Sequence, residues 1–193
     1  KNLDNCALVA PTSIAATNIH GSTIHSFFGL PPTHIDPEEE HKPSATARIV
    51  MENMSCLVID EVSMVPPNMI DAIDGVLKRV KGSEKPFGGV HVIMVGDLFQ
   101  LPPVIASDEE KVYFTHRYKS PFFFSADVFK VADAHFVTLT LAKVKRQNDT
   151  RLIEALSAIR TGEDYRESLA LINRECFSVD NAAERVSLCL VPR

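Results

Sequence analysis

Cys56-Leu57-Val58-Ile59-Asp60-Glu61-Val62-Ser63-Met64 is the stretch from which the fold is read. Leu57 to Ile59 is a short apolar run without alternation, the pattern of a strand buried in a mostly parallel sheet. It ends abruptly in two carboxylates. Ligands of such sheets sit beyond the carboxyl ends of the strands. Asp60 and Glu61 therefore stand where a ligand would sit. The plain alternative is a strand followed by an acidic turn, and such runs are common. The flanking sequence has to decide.

Upstream, Cys6-Ala-Leu-Val-Ala10 is a first buried strand, closed by Pro11. Thr12 and Ser13 cap a small-residue helix that His20-Gly21 ends. Ser22-Thr23 start a second helical stretch, Ile24 to Phe28, and Gly29 stops it. Two hydroxyl-rich strand-to-helix turns so close together suit phosphate binding through helix N-termini. Taken alone, each is better read as an ordinary N-cap. Residues 30–43 form a surface loop in which Glu38-Glu39-Glu40 is a solvated face. A helix over 48–54 leads into the central strand.

Downstream, Val65-Pro66-Pro67 breaks the chain and Asn68 can cap a helix. Met69, Ile70, Ile73, Val76, Leu77 and Val80 fall at helical spacing and read as core. A loop over 81–89 contains Pro86-Phe87-Gly88-Gly89. Residues 90–95 are the next buried strand, followed by Gly96-Asp97-Leu98-Phe99-Gln100-Leu101-Pro102-Pro103. Gly directly after a strand permits close backbone approach to a ligand, and an amide at position 100 can reach a terminal phosphate. For Gly96-Asp97 alone, a tight turn is the simpler reading. Residues 106–120 read as polar loop, Phe122 to Phe124 with a helical 126–132 as a packing element, and 136–141 as a strand. Lys143, Lys145 and Arg146 follow. One of them is a candidate phosphate ligand, and Arg146 alone lies directly between strand and helix cap; solvation suits the two lysines. Asn148 or Asp149 caps a helix bearing Leu152, Ile153, Leu156 and Ile159, ended by Gly162. A helix over 165–173 and a strand over 186–190 close the chain. Strands alternating with helices predict a parallel α/β sheet.

With 193 residues, 45% hydrophobic and 23% charged, the chain suits one globular domain and part of a second. A net charge of -5 excludes a broad basic face, so any nucleic-acid contact is a local groove. Cys6, Cys56, Cys176 and Cys189 have no zinc spacing and no disulfide framework. They are expected as reduced thiols, Cys56 and Cys189 in the core. No apolar segment approaches membrane-spanning length, and no signal peptide is visible.

Taken in order, Val9-Ala-Pro-Thr-Ser-Ile-Ala-Ala16, Thr23-Ile-His-Ser-Phe-Phe-Gly29, Ile59-Asp-Glu-Val-Ser-Met64, Pro86-Phe-Gly-Gly89, Gly96-Asp-Leu-Phe-Gln-Leu-Pro-Pro-Val104 and Arg146-Gln147 resemble the PIF family of DNA helicases. That family belongs to helicase superfamily one, in the branch shared with RecD. The apolar run before Asp60-Glu61 then resembles a Walker B strand. Leu156-Ser-Ala-Ile-Arg-Thr-Gly162 also resembles the family's stretch after the Arg-Gln motif.

The resemblance implies an α/β, RecA-like P-loop NTPase fold, a mostly parallel sheet flanked by helices. The first RecA-like domain would span 1–142, and the start of a second 143–193. ATP and Mg²⁺ would be the cofactors. Asp60 would bind Mg²⁺, Glu61 would orient the hydrolytic water, and Gly96 would lie against the nucleotide. Gln100 would sense the terminal phosphate and link it to DNA. Arg146 would be an arginine finger stabilising charge on the transferred phosphoryl group. Thr12, Thr23 and His25 would lie along a single-strand path. Phe28 and Phe99 are stacking candidates, with core packing the preferred reading. The implied activity is ATP-driven 5′→3′ translocation on single-stranded DNA, with duplex junctions as further partners. The protein is expected to be monomeric or weakly self-associating, with no membrane partner. The expected location is intracellular: cytoplasmic in a bacterium, nuclear or mitochondrial in a eukaryote. DNA repair, recombination and telomere maintenance are the implied settings.

The sequence departs from the family pattern at Ser13, where Gly is usual, and at Leu98, where Phe is usual. No G-x-x-x-x-G-K-[ST] occurs in the chain, so the main cradle for the β- and γ-phosphates is missing from it. The expectation is a helicase fragment, cut at both ends, with its P-loop before Lys1 and later motifs after Arg193. Such a fragment alone would neither hydrolyse ATP appreciably nor unwind DNA. A RecD- or relaxase-associated helicase is a related reading, against which Pro86-Phe-Gly-Gly89 favours the PIF type. A non-catalytic nucleic-acid- or protein-binding module derived from a helicase is the other. The joint presence of Asp60, Glu61, Gln100 and Arg146 argues against it.

Overall fold

The computed structural model describes residues 5–131, 135–145, 148–163 and 165–176. The chain divides into two compact units, Lys1–Val137 and Thr138–Arg193.

In the first unit, four strands among the described residues form one all-parallel sheet. They are β1 (Cys6–Ala10), β2 (Ser22–Thr23), β3 (Cys56–Ile59) and β4 (His91–Met94), in the order β2-β1-β3-β4. The register sets Ala10 opposite Thr23, Val9 opposite Ile59, and Ile59 opposite Met94. The strands thus end nearly level, and the turns that follow them emerge together at the carboxyl edge. Parallel pairing requires a crossover between neighbours. These crossovers are α1 (Ser13–Asn18), α2 (Ile24–Phe28), α3 (Ala45–Asn53) and α4 (Pro67–Lys81).

Period-2 side-chain direction puts Ala7, Val9, Leu57 and Ile59 on one face of the sheet, and all four are buried. They share a core with Met51 of α3, Phe28 of α2, and Ile70, Ile73 and Leu77 of α4. The last three have 0% exposure, and burying each stabilises the fold by about 1.5–3 kcal/mol. Gly82 ends α4 in the left-handed conformation. Lys81 Nζ donates to the Met54 and Glu52 carbonyls at 2.7 and 2.9 Å, fastening that end to the exit of α3. Buried Asp74 pairs with Lys78 at 2.7 Å and accepts from the Phe87 N–H at 2.6 Å, which docks the Pro86–Gly89 turn onto α4.

Several elements differ from the sequence expectations. Asn68 does not cap α4: Pro66 is its N-cap, and buried Asn68 donates instead to the Ile35 carbonyl at 2.8 Å. Ser22 and Thr23 form a short strand before Thr23 caps α2. Residues 106–120 are not loop but contain α5 (Asp108–Arg117), capped by Ser107. The helix expected over 126–132 is a single 3-10 turn, Asp127–Lys130. Its N-terminus is held by Asp71, whose carboxylate accepts from the Asp127 and Val128 N–H groups at 3.0 Å each. Residues 136–141 carry no strand, and Val137, Leu139 and Leu141 are more than four-fifths exposed. Cys56, expected in the core, is half-buried.

The second unit contains α6 (Thr150–Thr161) and α7 (Tyr165–Cys176), which pack together. Asp149 caps α6 by accepting from the Leu152 N–H at 3.2 Å, and Gly162 ends it. The apolar face of α6 is incompletely covered: Ala155 is buried, whereas Leu156 is 49% exposed. The strand expected over 186–190, Cys189 within it, and Arg146 and Gln147 lie outside the described residues.

Candidate functional site

The turn after β3 is backbone-constrained. The Asp60 N–H still donates to Val9 O at 2.9 Å, so pairing runs one residue beyond the strand. Glu61 then adopts φ 51° and ψ 41°. The left-handed region costs a residue with a Cβ roughly 1–2 kcal/mol, so the surroundings must impose it. They do so on the far side: the Val62 N–H donates to Val95 O at 2.9 Å, and the Met64 N–H to Glu61 O at 3.1 Å. Glu61 is half-buried, Val62 and Ser63 are buried. Strained backbone held this way is typical of functional turns.

Gly96 supplies the second constraint. A Cβ there would lie 3.0 Å from Val62 Cγ1 and 3.1 Å from the backbone nitrogens of Val62 and Ser63. What Gly96 approaches closely in this structure is the neighbouring turn. The turns after β3 and β4 therefore form one packed unit. Asp97 organises the second of them: its Oδ1 accepts from the Phe99 N–H at 3.0 Å, and its carbonyl from the Gln100 N–H at 3.0 Å. The Gln100 side chain is exposed, with Nε2 3.5 Å from Asp97 Oδ2.

The third turn follows β1. Thr12 Oγ1 accepts from the Ala15 N–H at 3.2 Å, and Thr23 Oγ1 from the Ser26 N–H at 3.2 Å. Both hydroxyls are N-caps of helices of only six and five residues. His25 is half-buried, and its Nδ1 has no hydrogen-bond partner. Of the two stacking candidates, Phe28 is in the core at 0% exposure and Phe99 is 62% exposed.

These turns enclose a cavity of about 300 Å³ lined by Thr12, Ile14, Ala15, Asn18, Glu61, Ser63, Met64, Gln100 and Leu101. It brings together three of the candidate residues, Thr12, Glu61 and Gln100, which are distant in sequence. Asp60, Thr23, His25 and Gly96 do not line it, and Arg146 lies outside the described residues. A larger cavity of about 440 Å³, lined by His34, Ser107, Glu109, Glu110 and Tyr113 among others, contains none of the candidates. Sequence reasoning missed Ser63. Ser63 is 1% exposed and lines the smaller cavity, and its hydroxyl is buried without a hydrogen-bond partner. A buried orphan hydroxyl is costly unless a ligand or water satisfies it. The only sequence signal was a small polar residue inside the turn that follows an apolar strand.

A parallel sheet with three polar turns meeting at its carboxyl edge defines the class: an α/β core of the RecA-like fold. Residues 2–168 match the family described as PIF1-like helicase, and the chain belongs to that family. It is 32% identical over 186 residues to the ATP-dependent DNA helicase RRM3 of Saccharomyces cerevisiae, covering 93% of this chain and 24% of that protein. It is 34% identical over 155 residues to the human ATP-dependent DNA helicase PIF1, covering 79% and 22%. The Pif1 helicase from Bacteroides, solved with ADP-AlF3 and single-stranded DNA, superposes with a TM-score of 0.83 at 41% identity, covering 94% of this chain and 43% of that one. The Candida albicans Pif1 helicase gives a TM-score of 0.72 at 30% identity, covering 88% and 36%. The chain thus spans about a quarter of these full-length relatives and less than half of the solved chains. No described helix is long and apolar enough to cross a membrane.

Proposed function

We propose that this chain carries part of the ATPase and DNA-contacting core of an ATP-dependent DNA helicase that moves 5′→3′ on single-stranded DNA. The observation that carries the reading is the shared cavity at the sheet's carboxyl edge, where Glu61, Gln100 and Thr12 converge from three turns. In this reading Glu61 accepts a hydrogen bond from the attacking water and orients it toward the terminal phosphate. The Gln100 amide reads that phosphate and, by lying beside the Thr12 turn, passes its state to the strand path. The close approach of Gly96 to the Val62–Ser63 backbone packs the two turns against each other. Thr23 and His25, one turn further along the same edge, extend the strand path. Arg146 is the proposed finger, supplied from a second RecA-like domain that begins near residue 143.

Asp60 suits Mg²⁺ by its donor chemistry. Mg²⁺ is held through one or two carboxylates, with the remaining positions left to water and substrate phosphates. A half-buried carboxylate at a strand end fits that pattern, and among the described residues no cluster of three metal-ligating side chains indicates a closed cage. Bound there, the ion would neutralise charge on the β- and γ-phosphates. The relatives named ATP-dependent DNA helicases, and the Bacteroides complex with nucleotide and single-stranded DNA, support this reading. Action on cellular DNA follows from it, in the cytoplasm of a bacterium or in the nucleus or mitochondrion of a eukaryote.

The test is DNA-stimulated ATP hydrolysis by the full-length protein, wild type against Glu61→Gln. One water-positioning contact is worth about 10²–10³ in rate. The expected result is stimulation of the wild type by single-stranded DNA and near-inactivity of the variant, which still binds nucleotide. Inactivity of both would overturn the reading in favour of a binding module.

A further inference from the structure

We propose that Cys6 and Cys56 form an oxidation site, which a hydroperoxide converts to an intramolecular disulfide stapling β1 to β3. The two lie far apart in sequence, and the register brings them directly opposite one another on adjacent parallel strands. Residues so paired project from the same face of a sheet. Neighbouring strands lie about 4.8 Å apart, inside the Cα separation of about 4.4–6.8 Å that a disulfide spans. Both thiols are free and half-buried, so a small oxidant reaches them. The face they occupy is open: Leu8, two residues along β1, is 36% exposed, and Ile93 on β4 is 50% exposed.

His91 is in register with Cys56 on its other side, so a Cys6, Cys56, His91 row crosses three strands. Among the described residues no group of three such side chains could hold a metal ion. Cys6 and His91 are the titratable groups opposite Cys56 on the two neighbouring strands. Burial, with the Cys6 thiol beside it, pushes the Cys56 thiol up to about 11. Ionisation of Cys56 is therefore disfavoured at pH 7, and oxidation through its thiolate quickens with pH.

The reaction balances as two thiols plus one hydroperoxide giving a disulfide, one alcohol and one water. One thiolate attacks the peroxide, the O–O bond breaks, and a sulfenic acid forms with release of the alcohol. The opposite thiol, losing its proton, attacks that sulfur. The S–S bond forms and hydroxide departs, taking up the proton as water. With hydrogen peroxide, the alcohol is a second water.

The experiment uses this chain, natively folded, treated with hydrogen peroxide at pH 7 and pH 9. Remaining thiols are blocked by alkylation, and the products are read by intact mass, non-reducing electrophoresis and peptide mapping. The expected product is a monomer with Cys6 linked to Cys56, reversible by dithiothreitol. It forms faster at pH 9 than at pH 7, as the thiolate fraction rises. Its thermal midpoint is raised, because the link constrains the unfolded chain. Cys6→Ser abolishes both the link and the rise. Overturning results are Cys6 and Cys56 recovered unlinked, over-oxidised singly, joined between molecules or joined to Cys176 or Cys189. A pH-independent rate overturns the thiolate route, and a linked monomer with an unchanged midpoint overturns the staple.

Discussion

Replacing Gly96 by Ala tests whether the turns after β3 and β4 are one packed unit. The added methyl would lie 3.0 Å from Val62 Cγ1 and 3.1 Å from two backbone nitrogens. Those atoms cannot retreat freely. The Val62 N–H is bonded to Val95 O at 2.9 Å, and Glu61 next to it is already held at φ 51°. Overpacking a tight site costs about 1–3 kcal/mol. Reduced freedom of the unfolded chain returns about 0.4–1 kcal/mol for Gly→Ala. The net expectation is a loss of about 1–2 kcal/mol. For a domain of this size that lowers the thermal midpoint by roughly 2–8 °C. Gly75→Ala is the internal control. It lies inside α4, and its Cβ would make only ordinary contacts, 3.4 Å to Arg79 Nη1 and 3.8 Å to Pro37 O. Helix propensity there favours Ala by about 0.8–1 kcal/mol, so Gly75→Ala is expected to raise the midpoint. Urea unfolding followed by circular dichroism measures both variants, with an unchanged slope confirming that stability alone moved. Gly96→Ala as stable as wild type, or shifted in the same direction as Gly75→Ala, would refute the packed-turn argument.

Two further outcomes are expected. Burial opposes ionisation of Asp127, but hydrogen bonds from Lys130 and Arg117 prevail and hold its carboxyl below the usual 3.8. A depressed folded value means the carboxylate stabilises the fold above the unfolded pKa, and that this contribution is lost as pH falls through the folded value. Asp127→Asn is thus expected to be less stable than wild type at pH 7, and the gap to close in acid, as read by thermal unfolding from pH 7 downward; a gap that widens in acid would contradict it. Because these 193 residues contain no G-x-x-x-x-G-K-[ST], the chain by itself is expected to show no appreciable ATP hydrolysis in a coupled assay. Robust turnover abolished by Glu61→Gln would show that the phosphates have a sufficient cradle without that loop.

The elements legible in the sequence were those whose physics is local. β1, β3 and β4 announced themselves as short apolar runs ending in polar turns, and α4 by apolar residues at helical spacing. Helix α5 was overlooked because its composition is polar, yet its start was written there. Ser107 and Glu110 have capping-box spacing, and in the structure Ser107 Oγ accepts from the Glu110 N–H while Glu110 Oε2 accepts from the Ala106 N–H. Asn68 misled in the opposite way, since a good capping residue was drawn inward to the Ile35 carbonyl by tertiary packing. Residues 136–141 have strand composition, but a strand needs an edge to pair with, and no described strand pairs with them.

At the site, Asp60, Glu61, Gly96 and Gln100 could be singled out from motif order. Their grouping could not. That Glu61, Gln100 and Thr12 share a cavity, that Gly96 packs on Val62, and that Ser63 keeps an unpartnered hydroxyl all depend on strand order and register. The same holds for Cys6 and Cys56, whose separation in sequence conceals direct opposition in the sheet.

The central claim is that one cavity serves both the nucleotide and the strand, and Gln100 is the residue that would join them. Its most direct test is the ratio of ATP hydrolysis with and without single-stranded DNA in the full-length protein, wild type against Gln100→Ala. The Gln100 side chain is exposed, so its removal leaves folding intact, and thermal unfolding verifies this. The account predicts that this ratio falls by an order of magnitude or more in the variant, over and above any loss of its DNA-independent rate. Undiminished stimulation would contradict it, and would mean that nucleotide and strand communicate by a route that bypasses this cavity.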